Sequence, residues 1–547
     1  MTKSGASPRL NIALSLLIAA TTTLTLTRCS SASEGVSVTT YHYDNMRSGV
    51  QAKETILTPS NVLSGSFGKL FTLTVDGQVY AQPLIVAKLQ MSDGISHDVL
   101  FIATEHDTVY AFDADNASTQ PFWSTSLLAA GETTVPAGDT GSQDVSPEIG
   151  ISGTPVIDPQ QGVLYVVAKS KAIVNGQATY SQRLHALGLL DGKEMLNGPT
   201  LINASLAGNA VGAVNGIATF DQLRSHQRSA LALINGTVWV AFASHGDQGI
   251  YHGWLLGYNS TDISQQTQLF DNTPNGWLGG IWMAANGPST DSSGDIYLTA
   301  GNGDYDATKS NYGASSVRLR PGITTPNGTV KVIDSFTPSD KDYENSYDWD
   351  MGVMGSVILP DQTGPIPHLL ITADKLGETY VINRDNFGGY DPMANHVVQT
   401  FLAGPNNLHQ NGVFFNNTLY FSSDNAPMYA YTFNPTTEQF MTTPSSATAQ
   451  VYMCTGCYVG GSAPTISANG TSNGILWTID ATSFNVPGPG ILHAYDPTDL
   501  THELYNSTQS TGDQAPNAIK FTTPVVANGR VYVGANGAVA VYGLLNN

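Results

Sequence analysis

A short β-rich unit recurs along nearly the whole chain, and this recurrence constrains the fold more than any other feature. Each copy opens on a small residue, often with a proline, followed by a short β run. A turn with Gly or Asn leads to a strand rich in Val, Ile and Tyr, and a further turn leads to a strand that ends near Asp or Asn. The clearest copies are AQPLIV with VLFIATEHDTVYAFDAD from Ala81, GTPVIDPQQGVLYVVAK with RLHALGLLDG from Gly153, and TTPVVANGRVYVGANGAVAVYG from Thr522. Weaker copies start at Ser229, Asn286, Met354, Asn411 and Ser462. Between Pro83 and Pro524 lie seven intervals, a mean period of about 63 residues.

A unit of about four short strands cannot bury both faces of its sheet alone. Stacked radially, neighbouring sheets cover one another. The expected fold is therefore all-β: an eight-bladed β-propeller of four-stranded antiparallel blades, with seven blades as the alternative count. The last copy stops after its third strand, at Val541-Tyr542-Gly543, while an orphan strand, KLFTLTVDG from Lys69, precedes the first copy. Pairing the two would close the ring and protect its edges. The long polar stretch 304–348 reads as an insertion between blade strands or as loops over one face.

Charge excludes some partners. The chain has 22 Lys and Arg against 43 Asp and Glu, a net charge of −21. Nucleic acid and anionic membrane surfaces both need a basic patch, so neither is an expected partner. At the start, Lys3 and Arg9 precede the apolar run LNIALSLLIAA, which reads as a secretory signal peptide. No later stretch is long and apolar enough for a transmembrane segment. Leu26-Thr27-Arg28-Cys29 looks like a bacterial lipoprotein box with Arg28 atypical in it, so a lipid anchor at Cys29 and plain cleavage nearby both stay open. The expected division is 1–29 as signal peptide or lipoprotein leader, 30–66 as N-terminal extension and 67–547 as propeller. The expected location is outside the cytoplasm: periplasm, cell envelope or extracellular space.

These repeats resemble the pyrroloquinoline-quinone (PQQ) type propeller repeat, and the chain after about residue 40 resembles the quinoprotein alcohol dehydrogenase superfamily. Three stretches go beyond the repeat and occur in that family's order. GGIWMAANGPSTDSSGDIYLTAGNGDYD resembles a tryptophan strand followed by a GTGN turn, which would make Trp282 the indole floor under the cofactor and Asn302 a metal ligand. YDWDMGVMGSVIL is similar to the segment bearing the catalytic aspartate, a position held here by Asp350, which would also face the metal. ADKLGETYVINRD places Lys375 where a basic residue contacts the quinone oxygens. A fourth, weaker match puts Asp247 of SHGDQGIYHGWLLGYN near a glutamate metal ligand, one position off in spacing and one methylene shorter.

The resemblance implies PQQ and Ca²⁺ as cofactors and a small-molecule alcohol or sugar as substrate. Ca²⁺ takes carboxylate and amide oxygens, a carboxylate removes the hydroxyl proton, and an aromatic floor with a basic rim holds a flat polyanion. The electron acceptor would be external, since no haem domain is fused. The same repeat also serves non-catalytic propellers, so an interaction scaffold with an envelope protein as partner is the rival reading. A hydrolase or lyase on the same ring is a third reading. The family's adjacent cysteine pair is missing. Cys454 and Cys457, in CTGCY, lack the following His of a haem site and a second CxxC for zinc, and read as a local disulfide. His185, His245 and His252 read as structural.

Overall fold

The computed structural model describes residues 35–117, 120–325, 328–404, 408–452 and 463–545. The leader with Cys29, and the pair Cys454 and Cys457, lie outside the described residues. All the described residues belong to the unit Gly35–Asn547.

The repeated unit folds as an antiparallel meander. In the first, Leu84–Gln90, Ser96–Ala103, Thr108–Asp113 and Trp123–Ser126 pair in chain order. The same four-strand path recurs over residues 156–201, 232–271, 289–336, 357–402, 413–440 and 465–506. The alternation of each strand explains why: Thr237–Ser244 carries Val238, Val240 and Phe242 on one face and Trp239 and Ala241 on the other, and all five are buried. Each face packs on a different neighbour. Val238, Val240 and Phe242 join Val163, Tyr165 and Val167 of the preceding sheet. Trp239 and Ala241 join Ile296, Leu298 and Val317 of the following one. At about 1.5–3 kcal/mol per buried large aliphatic side chain, these two-sided contacts form the core.

The last sheet contains both chain ends. Val525–Ala527 pairs with Arg530–Leu544, and Arg530–Leu544 pairs antiparallel with Phe67–Gln78, from Phe67↔Leu544 to Gln78↔Asn536. Phe67 is sealed between Trp477, Tyr505 and Tyr542, with ring centroids 5.5, 5.0 and 6.4 Å away. Val525, Val539 and Val541 of this sheet pack on Ile85, Leu100 and Ile102 of the first, so the succession of cores returns to its start.

Residues 35–66 run through the assembly. Val50–Gln51 adds a parallel strand beside Thr465–Asn469. Residues 41–47 form a hub. The His42 amide donates to Gln82 Oε1, the Tyr41 hydroxyl lies 3.2 Å from Thr523 Oγ1, and Asn45 Nδ2 donates to Leu233 O. Fully buried Arg47 donates to the carbonyls of Pro288, Leu231 and Tyr41 and to Thr40 Oγ1. Seven residues thus tie together segments of the chain more than 400 positions apart.

The stretch 304–348 differs from expectation. It is not wholly insertion, because Ser316–Thr324 and Val330–Phe336 are two of the four strands of their sheet. Arg318 and Arg320 of the first of these strands are both paired with Asp295. The remainder holds a small hairpin, Tyr305–Asp306 with Asn311–Tyr312, and the helix Lys341–Tyr347.

Candidate functional site

A cavity of about 900 Å³ opens where turns from successive sheets converge. Its lining runs from Gln78 and Tyr80 through Asp247, Trp282 and Lys375 to Phe521, so residues from both ends of the chain and from its middle share one space.

Asp247 sits in the turn after Thr237–Ser244, with φ +57°. Its Oδ1 accepts a hydrogen bond from the Tyr251 hydroxyl. Burial pushes the Asp247 carboxyl up; the Tyr251 bond opposes this, and the nearby charges of Asp350 and Asp348 add to the rise. Trp282 enters the cavity just before the short helix Met283–Ala285, and its carbonyl accepts from Ser229 Oγ at 3.1 Å. Asn302 follows the strand Ile296–Thr299. Its Nδ2 donates to Asp348 Oδ1 at 2.6 Å, while its Oδ1 is buried without a partner.

Asp350 is buried at the start of the helical turn Met351–Val353, where its Oδ1 accepts from the Gly352 amide at 2.7 Å. Lys375 follows the strand Leu369–Ala373, and its ammonium lies 2.7 Å from Asp348 Oδ1 and 3.0 Å from Asp350 Oδ2. Burial pulls the Lys375 ammonium down, but the charges of Asp350 and Asp348 outweigh it and hold its pKa above the ordinary lysine value. Lys375 is therefore no surface partner of Asp374. That carboxyl lies in a separate buried group with Tyr380 and Glu344, where burial pushes both carboxyls up, the charge of Asp374 adding to the rise of Glu344 and the charge of Glu378 to that of Asp374.

Gly301 brings these parts together. A Cβ there would stand 3.0 Å from both Asp350 Oδ1 and Trp282 Cδ1, and a Cβ on Gly352 would collide with the Gly301 backbone. The five residues singled out in the sequence thus belong to one neighbourhood: Asp247, Trp282 and Lys375 on the cavity wall, Asp350 and Asn302 tied to it through Lys375 and Asp348. Asp348, which bridges Asn302 and Lys375, carried no sequence signal beyond lying in an acidic stretch.

The part of the wall around Arg228 was missed altogether. Arg228 is 4% exposed, lies 3.7 Å over the Phe521 ring, and keeps its Nη2 without a partner. Lys520 lies 2.5 Å from Asp144 Oδ1. Burial raises the Asp144 carboxyl, but Lys520 and Arg228 outweigh it and hold it below the usual carboxylate range. Behind this wall runs a sealed polar chain. Glu105 accepts from the Gly150 amide and Ser152 Oγ, and Ser152 Oγ lies 3.0 Å from His226 Nε2. His226 stacks on His245 with ring centroids 4.1 Å apart, and His245 Nε2 is 2.7 Å from Lys169 Nζ. His252 is held by Thr273 and the Val211 carbonyl, and His185 by Glu194.

The donor set fits a hard cation. It is all oxygen, from an amide and carboxylates, and the buried Asn302 Oδ1 lacks the partner that such an ion would supply. Among the described residues no group of three or more His, Cys, Asp or Glu could hold a metal ion by itself. The indole of Trp282 and the ammonium of Lys375 are the chemistry a flat, oxygen-rich anion requires.

No family model matches the chain, and no curated protein matches it in sequence. Solved structures do match, and they show the fold: a β-propeller similar to that of PQQ-type proteins. The chain is similar to the quinohemoprotein alcohol dehydrogenase of Comamonas testosteroni, with 12% identity, a TM-score of 0.58, and 93% of this chain covering 80% of that one. It is similar to the quinohemoprotein alcohol dehydrogenase ADHIIG of Pseudomonas putida HK5, with 14% identity, a TM-score of 0.56 and the same coverage. A europium-containing methanol dehydrogenase aligns over 98% of its own length and 93% of this chain, with 12% identity and a TM-score of 0.58. At such identities the likeness is one of fold.

Proposed function

We propose that the chain is an exported oxidoreductase, an eight-bladed propeller that binds PQQ and Ca²⁺ and oxidises an alcohol or sugar hydroxyl. One observation carries the reading. Asp247, Trp282, Asn302, Asp350 and Lys375 come from turns and connections of three successive sheets across nearly 130 positions, and they meet around one cavity. The return of the last core to the first supports the closure of the ring. Under this reading residues 1–29 are the leader, with Cys29 as a candidate anchor, and 67–547 are the propeller. Among the described residues no helix is long and apolar enough to cross a membrane.

Asn302 Oδ1, Asp350 and Asp247 would hold the cation, and Trp282 and Lys375 the quinone. When bound, the quinone supplies a two-electron acceptor and the cation polarises it. The chain's own residues then position and deprotonate. Asp350, fixed by the Gly352 amide and the Lys375 ammonium, takes the substrate's hydroxyl proton. Lys375 remains protonated, so it is a fixed positive charge and not a competing base. Gly301 and Gly352 keep the approach free of side chains.

Equilibrium dialysis of the purified chain against PQQ, with and without Ca²⁺, tests the proposal together with dye-linked alcohol oxidation. Calcium-dependent uptake at micromolar PQQ, followed by dye reduction, is expected. No uptake with Ca²⁺ present overturns the reading in favour of a non-catalytic envelope scaffold.

A further inference from the structure

We infer that the part of the cavity wall built by Arg228, Lys520 and Phe521 is a carboxylate subsite in which Arg228, backed by Lys520, receives one carboxylate group of the bound molecule. As a statement about cofactor or substrate it rests on the proposed quinone-dependent oxidation. As a statement about carboxylate chemistry it stands on the wall itself.

Three features of the wall carry it. First, Arg228 is nine-tenths buried and lines the cavity, yet its Nη2 has no partner and its Nη1 is 3.8 Å from Asp144 Oδ2, beyond hydrogen-bond length. The other deeply buried guanidiniums behave differently: Arg47 donates to four oxygens, and Arg384 to Asp291, Asp361 and the Leu369 carbonyl. A buried donor left open is costly unless a ligand completes it. Second, the local charge is unbalanced. Among the described residues Asp144 is the one carboxylate within 4 Å of Arg228 or Lys520, so two cations share one ion-pair partner. Third, the cations rest on rings. Arg228 lies over Phe521, and Lys520 Nζ is 4.9 Å from the Phe521 centroid and 5.4 Å from that of Phe484. A planar fork beside flat apolar faces suits a carboxylate on a flat or aromatic frame.

Two charged groups thus share the cavity: Asp247, Asp348 and Asp350 with Lys375, and Arg228 and Lys520 with Asp144. A molecule that touches both presents its oxidisable or metal-facing end to the first and an acid group to the second. Two molecules could supply that acid: the quinone, or a substrate that is a hydroxy acid.

Titration calorimetry of the full chain, free of Ca²⁺, with benzene-1,3-dicarboxylate and with its neutral diamide probes the wall directly. The dicarboxylate is expected to bind at least tenfold more tightly, and Arg228→Gln to remove that preference. If wild type does not discriminate, or R228Q discriminates equally, the subsite is refuted. Should R228Q fail to fold, Arg228→Lys and Lys520→Gln take its place; each is expected to lose at least threefold of the preference, and an unchanged preference in both refutes it. The source follows from the holoenzyme. A tenfold weaker PQQ uptake in the variant assigns the acid to the quinone. An unchanged uptake with a tenfold higher KM for 4-(hydroxymethyl)benzoate, but not for benzyl alcohol, assigns it to the substrate. If wild type takes up no PQQ while the dicarboxylate still binds through Arg228, the oxidoreductase reading falls and the subsite stands.

Discussion

Two central regions of this molecule bury arginine and lysine, and they treat the charge in opposite ways. In the hub, every hydrogen bond of Arg47 ends on an oxygen of the chain itself, two of them backbone carbonyls from distant segments. Burial lowers its pKa to about 10, which still leaves it charged at neutral pH. Its one unsatisfied neighbour, His42, stacks on Tyr41 at 4.3 Å and is held neutral by burial, with a pKa of about 3. In the cavity, Lys375 is clamped by two carboxylates, Asn302 Oδ1 is open and Arg228 Nη2 is open. Charge that the chain completes by itself fastens the sheets, whereas charge left incomplete beside a cavity is arranged for something else.

The sharpest break in that contrast is Arg47→Met. It removes the cation but leaves the Pro288, Leu231 and Tyr41 carbonyls buried, at a cost of about 4 kcal/mol. That is a large share of a typical total stability of about 5–15 kcal/mol. Urea denaturation should show the loss directly. A change below about 1 kcal/mol would mean that the hub only fills space.

Next comes Asp350→Asn, which keeps shape and the Gly352 contact but cannot accept a proton. Turnover should fall about a thousandfold, with PQQ uptake within threefold and urea stability nearly unchanged. Unchanged turnover removes Asp350 as the base, and a loss of folding would place it with the hub.

The two regions were unequally legible. The latch could be read because KLFTLTVDG alternates and the last copy lacks a strand, so pairing followed from period and edge protection alone. The cavity's acidic end was readable only through resemblance: Asn302 in Ala-Gly-Asn-Gly or Asp350 among acidic neighbours has no periodicity to mark it. Arg47 and Arg228 were not readable at all. A lone arginine in NMRSGV or HQRSAL looks like solvated charge, and its burial depends on partners 184 and 241 positions away in one case and on Phe521 in the other.

The smallest effect concerns the sealed chain behind the Arg228 wall, where polar groups are satisfied yet held near neutrality. Burial raises Glu105 to about 7, against its bonds from Gly150 and Ser152 and the charge of Arg228, and Glu148 adds to the rise. Burial lowers Lys169 to about 7, with Asp221 and Glu105 opposing and Arg224 assisting. Between pH 4.5 and 7 the folded chain keeps a proton on Glu105 that the unfolded chain has lost, so this group's contribution to stability falls as pH rises. Between 7 and 10.5 the unfolded chain holds a proton on Lys169 that the folded chain lacks, so that contribution rises. Together they place a minimum near pH 7. Glu105→Gln should remove the falling limb, worth about 3 kcal/mol at most, and leave the rising one. Urea stability measured from pH 4.5 to 10 and taken as the difference from wild type reads this out. A difference curve flat below pH 7 would show that Glu105 is ionised there, and that the wall behind Arg228 carries one more negative charge than its burial allows.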